Sequence, residues 1–357
     1  MKAIILVGGQ GTRLRPLTYQ IPKNIVPLCG VPFLTYQFEF LKTAGITDVI
    51  LALGYQPHKI KKLYGNGENQ KLQLHYSLEK KPLGTAGAIK KAKQWVGKHT
   101  LVILNGDILT QLPLTSMIQF HQKNKAMVTI GLVAVKDPTA YGLVFLNRQK
   151  KIIRFLEKPT LDQITTNTIN TGVYIFEPSV LDFIPDNENY SVERELFPNL
   201  LSLDKALYGF VTHQYWQDIG TPFRYLTTQW DILDGKFPML GKYKKMKKNI
   251  YVEPHVQIDP SAQLAGPLII GSGTTIGKHA IIAPYSVIGK QCTIADGSVI
   301  SKSILLNQVH VDSQIRLEHV IAGNQTRFKE TLEANSGVIM ANQQKEYFNI
   351  PKHGYDS

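Results

Sequence analysis

The sequence predicts an α/β domain built on a mixed, mostly parallel sheet, followed by a left-handed parallel β-helix. Two patterns and one number carry that prediction. As far as Gly235, short β-branched runs alternate with helical periodicity, the order of a sheet whose strands are joined by crossover helices. From Val252 onward, aliphatic residues recur every six positions, a period that fits neither a helix nor a hairpin but fits a coil with one flat face per hexad. The chain has 357 residues, enough for two domains at about 100–200 residues each.

In the first domain, residues 1–235, strands are expected at 2–7, 48–53, 72–77 and 100–104, with helices at 33–43, 57–63 and 85–95 between them. The pattern then turns richer in strands, at 127–136, 141–146, 151–156 and 170–176, with a further short run from Thr212 to Trp216. One helix opens at Ser191. Another opens at Thr221-Pro222, an N-cap threonine followed by proline at the first helical position, and ends near Gly235.

Residues 236–251 read as a basic, solvated linker, densest at Lys242-Tyr243-Lys244-Lys245-Met246-Lys247-Lys248. The hexads then run through Val252, Ile258, Leu264, Ile270, Ile276, Ile282, Ile288, Ile294 and Ile300 without a slip, with small residues such as Ala262, Thr274, Ala280, Ser286, Cys292 and Ser298 at the corners. At three hexads per coil they make about three coils. The phase breaks after Leu306 and is expected to resume at Ile315 and Ile321, so the β-helix is assigned to 252–330 and a tail to 331–357.

Composition narrows the function. No apolar stretch approaches the ~20 residues of a membrane span, and the opening Lys2-Ala3-Ile4-Ile5-Leu6-Val7 is too short for a signal peptide, so a cytoplasmic protein without a membrane partner is expected. Cys29 and Cys292 stand far apart with no Cys/His cluster, which argues for structural thiols. With 40 Lys+Arg against 27 Asp+Glu, the net charge of +13 favours anionic partners: nucleic acid, acidic lipid or phosphorylated small molecules. The basic run has few aromatic neighbours to stack bases, so nucleic acid is not expected.

Gly8-Gly9-Gln10-Gly11-Thr12-Arg13 follows the first strand, and a Gly-rich turn there lets backbone N–H groups close on phosphate oxygens. A dinucleotide fingerprint would need Gly where Leu14 stands, and a P-loop would need Lys-Ser/Thr where Thr12-Arg13 stands. Arg13, and Lys23 after Pro22, strengthen the phosphate reading. Asn105-Gly106-Asp107 and Asp218-Ile219-Gly220 each close a strand, where open α/β sheets bind ligands. Two converging carboxylates would suit Mg²⁺, which keeps waters and borrows substrate phosphates; each Asp taken singly reads rather as a turn former or helix cap. Glu157-Lys158-Pro159 places another cation after a strand, or makes a surface turn.

Together these segments resemble the sugar-1-phosphate nucleotidylyltransferases, whose catalytic domain is Rossmann-like. The likeness rests on Gly8 to Thr18, Pro22-Lys23, Leu83-Gly84-Thr85-Ala86-Gly87-Ala88, Asn105-Gly106-Asp107, Glu157-Lys158-Pro159, Asn170-Thr171-Gly172-Val173-Tyr174 and Asp218-Ile219-Gly220-Thr221-Pro222, and the hexapeptide tail matches the longer members. Glu79 to Ala88 and Ser191 to Pro198 resemble the mannose-1-phosphate guanylyltransferase branch most. The resemblance implies roles: Gly8, Gly9, Gly11, Thr12 and Arg13 hold the triphosphate, with Arg13 on the departing pyrophosphate. Lys23 bridges the reacting phosphates, while Leu83, Gly84, Thr85 and Gly87 line base and ribose. Asp107 and Asp218 hold Mg²⁺, Lys158 grips the sugar phosphate, and Gly142, Glu157 and Asn170 face the sugar. Many relatives have Pro where this chain has Asn24.

The implied substrates are a nucleoside triphosphate and a hexose 1-phosphate, GTP and mannose 1-phosphate foremost, with glucose-1-phosphate thymidylyl or uridylyl transfer and heptose-1-phosphate guanylyl transfer as alternatives. The β-helix implies a homo-oligomer, since flat faces and open ends favour self-association. Two other classes compete. Hexapeptide β-helices also form acyltransferases with a histidine between coils, for which His255, His279, His310 and His319 are candidates. A silent regulatory relative is the other, although such a chain is expected to have lost residues of the set Arg13, Lys23, Asp107, Lys158 and Asp218.

Overall fold

The computed structural model describes residues 1–157, 159–246, 249–329, 334–340 and 345–347. The chain forms two compact units, Met1–Gln10 with Leu34–Gln217, and Gly11–Phe33 with Asp218–Ser357.

In the first unit, Lys2–Val7 lies inside a nine-stranded sheet. Asp48–Leu53 and then Gln73–Leu78 follow on one side and Leu101–Asn105 on the other, all in parallel. Chain order therefore reverses at the first strand, and the ends of Lys2–Val7, Asp48–Leu53 and Leu101–Asn105 meet at the switch point where such sheets take ligands. Thr168–Phe176 runs antiparallel to both Leu101–Asn105 and Val128–Ala134, and Val128–Ala134 pairs in parallel with Leu207–Thr212. Leu143–Leu146 and Ile152–Leu156 complete the sheet. The β-branched runs are explained by burial on both faces: within Asp48–Leu53 only Asp48 is not buried. Ile4, Ile50, Ile103 and Tyr174 share one core cluster with Ala86 and Ile89 of the helix Gly84–Lys91.

Several elements differ from the sequence reading. The strand expected at Thr212 to Trp216 is instead two, Leu207–Thr212 and Trp216–Asp218. A helix, Leu114–Lys123, was not anticipated; its polar-looking His121 is buried, with Nδ1 beside Thr129 Oγ1 and Nε2 beside Glu177 Oε1. The helix from Ser191 begins as a π-helical turn, Val192–Leu196, capped by the Ser191 hydroxyl, and continues as Phe197–Ser202.

In the second unit the hexads form the expected parallel β-helix. One face is the five-stranded sheet Gln257–Ile258, Thr275–Ile276, Thr293–Ile294, His310–Val311 and Arg327–Phe328, so the helix is longer than three coils. The hexad register resumes one residue early, at Leu305, and not at Ile315 and Ile321, although both of those side chains are buried. Ile270 pairs with Ile288, but Ile288 pairs with Leu305, one residue short of the same offset. A corner has been shortened: the left-handed residue stands three positions after Ile288 (Gln291) but two after Ile300 (Lys302) and two after Leu317 (His319). Because the missing residue is in a turn, Leu305, Val311, Leu317, Ala322 and Phe328 still stack in the core.

The segments flanking the repeats are also built in. Lys244–Lys245, inside the expected linker, forms a strand antiparallel to Ile250–Val252, the first rung. Lys247 and Lys248 lie outside the described residues. Within the expected tail, Ala334–Ile339 adds another parallel strand beside Arg316–Ala322, and Lys345–Tyr347 pairs antiparallel to it. Buried Val338, Ile339 and Met340 supply the reason.

The helix Pro222–Leu233, assigned from sequence to the first domain, belongs to the second unit. Its Trp230 ring packs 5.7 Å from Tyr285 and 5.9 Å from His319, on β-helix corners, and Gln229 Oε1 accepts from Cys29 N–H at 3.0 Å. Both cysteines are free and buried; burial pushes the Cys29 thiol up and the Cys292 thiol to about 11, which makes them inert. No helix of the described residues is long and apolar enough to cross a membrane.

Candidate active site

The predicted residues fall in both units. Gly8, Gly9, Leu83, Gly84, Thr85, Gly87, Asp107, Gly142, Glu157 and Asn170 are in the first; Gly11, Thr12, Arg13, Lys23 and Asp218 are in the second. Lys158 lies outside the described residues.

At the switch point, the Gly8 and Gly54 backbones touch: a Cβ on Gly54 would lie 2.7 Å from the Gly8 carbonyl oxygen. Glu79 joins this loop to the next one. Its Oε1 lies 2.8 Å from where a Gly8 Cβ would stand, and its Oε2 accepts from Leu83 N–H at 3.2 Å. Burial raises the Glu79 pKa first of all, opposed by that hydrogen bond and by Lys91. The segment Leu83 to Gly87 is pinned from outside. Tyr190 donates its N–H to the Leu83 carbonyl, and its own carbonyl accepts from Ala86 and Gly87 N–H.

Asp107 sits in the turn after Leu101–Asn105, a turn fastened on both sides. Buried Gln37 donates from Nε2 to the carbonyls of Asn105 (2.8 Å) and Ile108 (3.1 Å), and Gly106 N–H donates to the Leu6 carbonyl at 3.0 Å. The residues expected to face the sugar also assemble. A Cβ on Gly142 would lie 2.6 Å from Glu157 Oε2, and Asn170 N–H donates to the Gly142 carbonyl at 3.0 Å. Nearby, Trp216 Nε1–H donates to the Thr171 carbonyl, and the Trp216 ring packs edge-on against Tyr141.

In the second unit, Gly220 explains itself. A Cβ there would lie 2.6 Å from Asp218 Oδ1 and 3.0 Å from an Arg13 guanidinium nitrogen, so this bare backbone lets carboxylate and guanidinium approach across 205 positions of sequence. Gly220 N–H donates to Asp218 Oδ1, and Arg224, on the first turn of its helix, donates to Oδ2. Lys23 is buried in a 3₁₀ turn, Lys23–Ile25, with Asn24 buried beside it; the Lys23 stem lies 2.9 Å from where a Gly11 Cβ would be.

Sequence reasoning missed four groups: Gln37, Glu79, Glu193 and Arg224. Gln37 and Arg224 look like ordinary helix polar residues. Glu79 and Glu193 fall inside stretches that carried the resemblance, which was the available signal. The candidate metal ligands are hard carboxylate oxygens, and the described residues hold no cluster of three or more acidic, His or Cys side chains that would cage an ion. That donor set fits a cation that retains water and accepts phosphate oxygens.

A family model described as nucleotidyl transferase matches residues 2–235, and one described as the EIF2B subunit epsilon LbH domain matches residues 247–345. The chain is 39% identical to a mannose-1-phosphate guanylyltransferase of Mycobacterium tuberculosis over 276 residues, 77% of this chain and 76% of the other. It is 32% identical to mannose-1-phosphate guanylyltransferase 1 of Arabidopsis thaliana over 358 residues, 96% of this chain and 97% of the other. Among solved structures, HddC from Yersinia pseudotuberculosis complexed with GMP-PN superposes with a TM-score of 0.57 at 29% identity, covering 65% of this chain and 99% of that one.

Proposed function

We infer the reaction from one premise, that the chain belongs to the nucleotidyl transferase family and is a nucleotidyltransferase. Its substrates are GTP and mannose 1-phosphate, and its products GDP-mannose and pyrophosphate. The observation that carries this reading is the similarity, nearly end to end, to a protein named mannose-1-phosphate guanylyltransferase, across both the α/β unit and the β-helix.

The bond that forms joins a phosphate oxygen of the sugar phosphate to the α-phosphorus of the triphosphate; the bond that breaks releases pyrophosphate. A phosphate monoester has its second pKa near ~6, so the nucleophile is already anionic at neutral pH and needs no general base. The barrier is repulsion, about 4 kcal/mol for each pair of like charges ~4 Å apart at an effective dielectric of ~20. Arg13, Lys23 and Lys158 offset it by holding the departing pyrophosphate, the reacting phosphates and the sugar phosphate. The backbone from Gly8 to Arg13 cradles the triphosphate, and Leu83 to Gly87 lines base and ribose. Asp107 and Asp218 are the carboxylates for Mg²⁺, which supplies charge neutralisation when bound; Arg224 is the counter-ion that holds Asp218 in place. Catalysis is positioning and electrostatics.

A matrix of five nucleoside triphosphates against several hexose 1-phosphates, read as pyrophosphate release, tests the assignment. GTP with mannose 1-phosphate is expected to give the highest kcat/KM; another pair exceeding it tenfold overturns the assignment of base or sugar. The same reading carries a homo-oligomer assembled through the β-helix. Light scattering of the full chain at micromolar concentration is expected to return a multiple of 40.1 kDa, and a monomer mass sinks that part.

A further inference from the structure

One carboxylate in the first unit reaches toward both substrate segments. Glu193 follows the N-cap Ser191, whose hydroxyl donates to Glu193 Oε2 at 3.1 Å. Thr85 Oγ1, in the nucleotide segment, donates to the same Oε2 at 3.0 Å. Tyr174 Oη donates to the other oxygen, Oε1, at 2.9 Å, and itself accepts from Asn170 Nδ2 at 2.8 Å. Asn170 Oδ1 accepts from Gly172 N–H at 2.9 Å.

The donor order in this chain is dictated by charge. A carboxylate only accepts, so all three hydroxyls, those of Ser191, Thr85 and Tyr174, point their hydrogens at Glu193. The Tyr174 oxygen is then left with lone pairs alone to offer Asn170, which turns the Asn170 amide nitrogen toward it and the amide oxygen toward Gly172. Tyr174 is fully buried, with its ring edge-on to Phe197, so no water competes for its hydroxyl. Glu193 thus sets the orientation of Asn170 from two residues away, while gripping Thr85 directly.

We propose that Glu193 is a positioning residue that couples the nucleotide and sugar subsites, so that order imposed at Thr85 by one substrate is transmitted to Asn170 and raises affinity for the other. The proposal rests on the subsite assignments above. By linkage the effect must be reciprocal: each substrate tightens the other by the same factor.

Calorimetry on the full chain tests it, with a non-hydrolysable α,β-methylene GTP and mannose 1-phosphate, each titrated alone and against saturating partner. In the unmodified chain each ligand is expected to bind about 5- to 20-fold tighter with its partner present. Glu193→Gln keeps the shape but replaces one acceptor oxygen with an NH2 donor, so the donor order must reverse on one branch; coupling is expected to fall to within about twofold of none, with single-ligand affinities changed less than the coupling. Tyr174→Phe, which retains the buried ring, is the second variant and is expected to lose coupling with Thr85 still bound to Glu193. Full coupling in both variants, loss of single-ligand affinity with coupling intact, or independent binding in the unmodified chain would each overturn the proposal. If neither ligand binds at all, the assignment of substrates fails instead, and the titration is repeated with the productive pair from the substrate matrix.

Discussion

Asp107→Asn is expected to lower pyrophosphate release by roughly 10²- to 10⁴-fold, since the metal's charge stabilisation of a phosphoryl-transfer transition state is worth several kcal/mol at about 1.4 kcal/mol per tenfold. The fold should not follow the activity down. The turn that carries Asp107 is fastened by Gln37 through the Asn105 and Ile108 carbonyls, and by Gly106 N–H on the Leu6 carbonyl, none of which uses an Asp107 atom. Asn matches the carboxylate in size while losing its charge and one acceptor oxygen. The measurements are pyrophosphate release across a Mg²⁺ titration and thermal melting of the same samples. Turnover equal to that of the unmodified chain removes Asp107 from the metal site; a large drop in melting temperature moves it into the scaffold.

A pair of glycines separates packing from ligand approach. Gly84 has φ +68°, and a Cβ there would lie 2.6 Å from both the Tyr190 carbonyl oxygen and Asn189 Oδ1. Gly84→Ala therefore carries the left-handed penalty of about 1–2 kcal/mol plus a further ~1–3 kcal/mol for displacing backbone that holds Ala86 and Gly87 N–H. Both stability and nucleotide binding should fall. At Gly9 the same probe meets nothing within 4 Å, and no left-handed φ is present. Gly9→Ala should melt like the unmodified chain yet bind nucleotide roughly 10- to 100-fold more weakly, about 1.4–2.8 kcal/mol, because the added methyl occupies space a phosphate needs. If nucleotide affinity survives Gly9→Ala unchanged, the loop does not hold the triphosphate as proposed.

The residues themselves explain which parts of this molecule were legible in sequence. Strands such as Lys2–Val7 and Asp48–Leu53 are buried on both faces, so composition alone marks them. The hexads are visible because each coil repeats the same demand for an inward aliphatic. Where a corner lost one residue, at Lys302, the period broke on paper although the stacking did not, since a turn can shorten without moving the faces it joins. The supporting groups were hidden for a different reason. Gln37, Glu193 and Arg224 matter through partners 68, 108 and 6 positions away, and nothing in their local pattern says which carbonyl, hydroxyl or carboxylate they meet. The allocation of Pro222–Leu233 to the second unit was equally invisible, because its apolar stripe fits any flat surface and only Trp230 against Tyr285 reveals which one.

The two reversed strands on the β-helix, Lys244–Lys245 at the first rung and Lys345–Tyr347 beyond the last, bear on how such a protein stays dispersed. A stack of parallel rungs is a template that can recruit its own copies end on end, as fibrils do. A terminal strand running the opposite way breaks that polarity, so on this face an incoming copy meets the wrong hydrogen-bond pattern at either end, and exposed Lys244 and Lys245 add charge repulsion at the first. End-on growth along the axis is thereby discouraged on this face.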